Sequence, residues 1–181
     1  MKTKFADQRP SEQAKALEVL LQMGEDDTEL KTQCLSNWKE EFDEEVERLR
    51  LLASESKKDI LELVDTEVCN FLTNLSLAIS SSQQLLSQSQ HATMNGLAHG
   101  YITTVISVLQ SRFECDKNDG ECAVYVRALD KLVGKISTFN RLSPILNFSS
   151  SIASLVMAAA VHQVKHSRCL LKYYFIIFFP Y

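Results

Sequence analysis

Leu30, Cys34, Trp38, Phe42, Val46, Leu49 and Leu52 recur every three or four residues. That spacing lines one face of an α-helix. The positions between them carry Lys39, Glu40, Asp43, Glu44, Glu47 and Arg48. A strand would alternate its two faces every second residue, so this pattern excludes a half-buried strand. The stretch reads as a helix over about 28–53, which at 1.5 Å per residue is about 39 Å long. Glu44 and Arg48, four apart on the charged side, are expected to pair.

The same period runs through most of the chain. With 5 Gly and 3 Pro in 181 residues, breakers are too sparse for many short strands. A first helix is expected over about 11–23, entered at Pro10, with Ala14, Leu17, Leu20 and Leu21 as its apolar stripe. The stretch "LLQMGEDDTEL" then changes from apolar to acidic across Gly24. Gly24 suits a left-handed C-cap, and Asp26 or Asp27 suits the N-cap of the next helix, so this elbow reads as capping chemistry.

A third helix is expected from Ser56, where Ser56-Lys-Lys-Asp59 resembles a capping box, through Ile60, Leu63, Val64, Val68, Phe71, Leu72, Leu75 and Ile79. It fades into a Ser/Gln tract, a frayed end or a linker within 80–95. A fourth helix is expected over 97–113, although the β-branched content of 101–109 also permits a strand. A fifth spans 121–139, with Val126, Leu129, Leu132, Val133, Ile136 and Phe139. Ser143-Pro144 should open a sixth, carrying Phe148, Ile152, Leu155, Val156 and Ala159 towards Lys165. The expected fold class is therefore all-α: an elongated bundle or rod of about six amphipathic helices over 11–168. A disordered N-terminus over 1–10 and an apolar tail over 169–181 would flank it.

Charge is unevenly spread. Residues 1–70 hold 18 Asp and Glu against 10 Lys and Arg, and the remainder holds 5 against 9. The acidic half disfavours phosphate ligands, and the mild positive balance of the second half does not point to nucleic acid. The 5 cysteines, widely spaced and odd in number, fit reduced thiols in the cytosol. No apolar leader opens the sequence.

Candidate chemistry is thin. His162-Gln163-Val164-Lys165-His166 places two imidazoles on one helical face, as a zinc protease requires, but Gln163 stands where the general base Glu is needed. Cys115 and Cys122 are wider apart than usual zinc pairs, and Cys34 and Cys69 sit in apolar stripes. Asp116–Gly120 lacks the spacing of a calcium loop. The acids Glu40, Glu41, Asp43, Glu44, Glu45 and Glu47 read as a solvated helix face rather than a catalytic pair. No phosphate-cradling Gly loop or nucleophile elbow is present, so no cofactor is expected. The tail has seven apolar or aromatic residues between Lys172 and Pro180, far below the roughly 20 needed to span a bilayer. It could pack on the bundle, touch a membrane surface or be foreign to the domain.

Three segments carry a resemblance. Ala14-Lys-Ala-Leu-Glu-Val-Leu-Leu-Gln-Met-Gly-Glu25, followed by Glu29-Leu30, is similar to a "VELLLALGE" stretch before an "EEL" helix in the vacuolar protein sorting-associated protein 51 (fat-free) family. Asp59-Ile-Leu-Glu-Leu63 resembles that family's "DVLEF", and Val126-Arg-Ala-Leu-Asp130 its "LVRALDRF". The matches keep the family's order and cover roughly residues 13–168.

The resemblance implies a subunit of the Golgi-associated retrograde protein (GARP) complex and its endosomal counterpart (EARP). Those are non-enzymatic tethers acting in retrograde transport to the trans-Golgi network and in endocytic recycling. It implies other tethering-complex subunits as partners, SNARE contact through regions absent here, and peripheral membrane association through the complex on the cytoplasmic face of the trans-Golgi network and recycling endosomes. The chain is several times shorter than the family's members and is expected to be a truncated segment. The best candidate docking surface is the acidic face of the second helix: Glu40, Asp43, Glu44 and Glu47. Rival readings are a small helical adaptor unrelated to traffic and a zinc-binding helical protein using His162 and His166.

Overall fold

The computed structural model describes residues 10–23, 27–55, 59–115, 122–143 and 145–162. These form an all-α bundle, and among them there is no strand. Helix α1 is Pro10–Gln22 and α2 is Asp27–Ser54. Helix α3 runs without a break through Ile60–Glu62, a wide π segment Leu63–Val68, and Cys69–Leu85. Helix α4 is Gln88–Cys115, α5 is Cys122–Leu142, and α6 covers 149–162. Residues 101–109 are thus helical. Gly24, Asp26, Ser56, Pro144, the 116–121 loop, and residues 1–9 and 163–181 lie outside the described residues, and the expectations for them rest there.

Cross-helix contacts fix the directions. Gln13 of α1 reaches Glu41 of α2, and Arg48 and Glu45 of α2 reach Glu67 and Asn74 of α3. In the α2–α3 pair the numbers run in opposite senses, so these two helices are antiparallel. Ser82 meets His91 across the α3–α4 corner, while Phe71 packs on Tyr101 further up. Thr32 meets Gln90 and Asp43 meets Tyr101, so α2 and α4 run parallel. The α4–α5 and α5–α6 corners close through Phe113–Tyr125 and Phe139–Phe148 ring contacts. The result is an up-and-down arrangement with short corners.

The core follows the stripes. Leu17, Trp38, Phe42, Val64, Leu75, Ile102, Leu109, Leu132 and Leu155 are all buried in one continuous cluster. At its centre the rings of Phe42, Phe71 and Tyr101 stand 5.9 to 6.5 Å apart, two of the three pairs edge to face. Two expected core residues are corrected. Val126 is 58% exposed, because Tyr125 and Ala128 take the inward positions on α5. Val156 lies at the solvent edge, since Leu155 and Ala159 define the inner line of α6.

The helix starts also shift. The N-cap of α3 is Asp59, whose Oδ1 accepts from the Glu62 N–H at 2.7 Å. Helix α4 begins nine residues before the expected 97, because Ser87 and Gln90 form a capping box: the Gln90 N–H donates to Ser87 Oγ, and Ser87 N–H donates back to Gln90 Oε1. Helix α6 starts after Asn147, whose Oδ1 accepts from the Ser149 N–H at 3.0 Å, rather than at Ser143-Pro144.

Candidate interaction surface

The four acids singled out on α2 are exposed, but they are not equivalent. Glu40 and Glu44 point to solvent. Glu47 accepts from Arg50 at 3.1 Å, one turn along the same helix. Asp43 is held on two sides: Lys39 Nζ donates to Oδ2 at 2.8 Å, and the Tyr101 hydroxyl donates to Oδ1 at 2.8 Å. The Lys39 hydrogen bond, then that of Tyr101, hold the Asp43 carboxyl below its usual value despite opposing burial. Burial, followed by the bond to Asp43, pushes the Tyr101 phenol well above its ordinary value. Asp43 is therefore an anchor between α2 and α4 as well as a surface charge.

Glu41 and Glu45 depart from the expected solvated face. Both are half-buried and turn towards neighbouring helices. Glu41 accepts from Gln13 Nε2 of α1 at 3.4 Å, and Glu45 accepts from Asn74 Nδ2 of α3 at 3.4 Å. Burial, with Glu45 and Glu44 beside it, raises Glu41 to about 7. Burial also raises Glu45, opposed by the Arg48 charge. Their positions were legible: each immediately precedes a core residue of the stripe, Phe42 or Val46, and so sits on its shoulder.

Arg48 does not pair with Glu44. Its guanidinium donates to Glu67 of α3 at 2.7 Å, and Lys131 of α5 pairs with Asp65, two residues earlier. Both acids lie in the π segment. A partly exposed pair of this kind is worth on the order of 1 kcal/mol or less, so these ties fix the register of α3 more than they stabilise it.

One constellation was not seen in the sequence. Ser82 Oγ lies 2.8 Å from His91 Nδ1, and Asn95 Nδ2 lies 3.1 Å from His91 Nε2. Serine, histidine and an amide in a line resemble a catalytic triad. Here Ser82 is fully buried and also donates to the Ile79 carbonyl at 2.8 Å. No substrate can reach that hydroxyl, and the row ties the end of α3 to the start of α4.

Among the described residues no three His, Cys, Asp or Glu side chains converge as a metal site would require. Cys34 and Cys69 are buried free thiols, and burial raises Cys34 to about 12. His162 is half-buried at the end of α6, while His166 and Cys169 lie outside the described residues. Among the described residues no helix is long and apolar enough to cross a membrane.

Fold and surface together define a helical-bundle segment whose polar groups tie helices to one another. The chain is 28% identical over 121 residues to the vacuolar protein sorting-associated protein 51 homolog of Danio rerio, and 24% identical over 159 residues to that of Drosophila melanogaster. These alignments take in 59% and 81% of this chain, but 15% and 21% of the relatives. The chain thus resembles a segment of these relatives, spanning about a fifth of their length or less. In the structure residues 14–22 lie on α1, 59–63 at the cap of α3 and 126–130 on α5, and their members Leu17, Ile60 and Ala128 are core residues. No family profile matches the chain, and no solved structure matches it.

Proposed function

We propose that this chain serves as a non-enzymatic helical segment of a subunit in a multisubunit vesicle-tethering complex. The process is endosome-to-trans-Golgi retrograde transport and endocytic recycling, the work of the GARP and EARP complexes. The observation that carries the reading is a similarity that runs through 81% of the chain to a vacuolar protein sorting-associated protein 51 homolog. The mechanism is mechanical. Helices of 28 residues such as α2 and α4, about 42 Å each, hold a spacing, and their outer faces dock other subunits. Glu40, Asp43, Glu44 and Glu47 form the proposed docking face, matched to a basic helix of another subunit. Membrane association is peripheral, through the complex, at the trans-Golgi network and recycling endosomes. SNARE contact belongs to regions outside this chain.

Affinity purification of the full chain from cells, scored for the other tether subunits, tests the reading. Their recovery is expected, and Glu40→Lys with Glu44→Lys should reduce it severalfold while the far-ultraviolet circular dichroism stays unchanged. Recovery of an unrelated complex would overturn the assignment. Recovery undiminished by the two reversals would remove the docking face and leave the assignment standing.

A further inference from the structure

From Leu142 through Val161 the chain has no Asp, Glu, Lys or Arg. The inner line of α6, Ile152, Leu155 and Ala159, is buried. The outer line is apolar too: Met157 is 66% exposed and Val161 45%, and Ile145 on the approach is 83% exposed. Between α6 and the end of α4 this face forms an open groove lined by Ala153, Ser154, Met157, Ala158, Val161 and His162, with Glu114 across from them on α4. Helix α2, by contrast, covers its outer side with charge. A mostly apolar, uncharged face of this kind marks a surface that is covered by something.

The chain itself supplies a match in chemistry. Leu170, Leu171 and the run Tyr173-Tyr-Phe-Ile-Ile-Phe-Phe179 come directly after α6. Residues 163–169 can span up to about 24 Å, and the groove from Ala153 to His162 is about 14 Å of helix, so a return is within reach. Lys165, Arg168 and Lys172 flank the run, opposite in sign to Glu114 at the groove rim. We propose that Leu170–Phe179 docks on the outer face of α6, in the groove beside Glu114.

Methionine oxidation by dilute peroxide reads this out in the full chain, because thioether oxidation tracks exposure. Met23 is 74% exposed and Met94 fully buried, which gives a fast and a slow internal standard. With the segment docked, Met157 oxidises severalfold more slowly than Met23. In the full-length variant Phe175→Asp, Ile176→Asp, Phe178→Asp it rises to the rate of Met23, with Met94 still slow. Equal rates for Met157 and Met23 in the unaltered chain overturn the proposal. So does protection that survives in the variant, which means another occupant. So does protection that grows with chain concentration, which means a second copy. The converse variant, Val161→Asp, is expected to speed chymotryptic cleavage within 173–179, and an unchanged rate there also overturns it.

Discussion

Glu41 shows how one residue couples a surface helix to its surroundings. Its carboxyl is raised from 4.5 to about 7, first by burial and then by Glu45 and Glu44. A carboxyl with a raised folded-state value favours the folded chain when protonated. That contribution is complete below about pH 4.5 and is lost as pH rises towards 7. Glu41→Gln keeps an acceptor for Gln13 and cannot ionise. It is therefore expected to stabilise the chain at pH 8 by on the order of 1 kcal/mol, after allowance for solvent screening of a half-exposed group, with the difference vanishing near pH 4.5. Urea midpoints of the two proteins across that range measure it. A gain that is constant with pH would point to packing instead. The sequence placed Glu41 beside the core residue Phe42 but gave no sign of its contact with α1, because the tilt of a helix against its neighbours is not written in its own period.

At the scale of elements, the stripes predicted helices well and joints poorly. Leu17, Trp38, Phe71, Leu109 and Leu132 were legible because burial of an apolar face selects the 3.6-residue period. The start of α4 was hidden by polar side chains, since Ser87 and Gln90 read as linker residues until their reciprocal hydrogen bonds are seen. The wide turn in α3 leaves no mark on the apolar pattern. Within it the Cys69 N–H donates to Val64 O, five residues back, so the segment holds one residue more than an α-turn would. Deleting the exposed Thr66 is expected to convert it to ordinary helix, costing within about 2 kcal/mol and leaving cooperative unfolding intact. Deleting Leu77 in the regular part rotates the remainder of the helix by about 100° and takes Ala78, Ile79 and Ser82 off the core, so cooperativity should be lost. Urea titrations of the two deletions decide the point; equal damage would refute it.

For the whole molecule, one cluster of buried side chains runs from Ala14 to Ala159 and joins all six helices. The chain is therefore expected to unfold in one step. Its single tryptophan, Trp38, is fully buried, so its emission should report the same transition as helix content measured by circular dichroism. Two separated midpoints would reveal sub-bundles. The all-α class was legible from breaker content and period. The directions of the helices were not, because Arg48–Glu67, Lys131–Asp65 and Tyr101–Asp43 pair residues far apart in the chain.

The widened turn also bears on how such a bundle would behave under load. The early part of α3 leans on α5, and the later part on α1, α4 and α5. Between them the backbone bonds span five residues in place of four, and two acid–base clasps grip the segment from α2 and α5. Flexure of a spacer built this way would collect at that point, as at an elastic joint whose stiffness salt could soften.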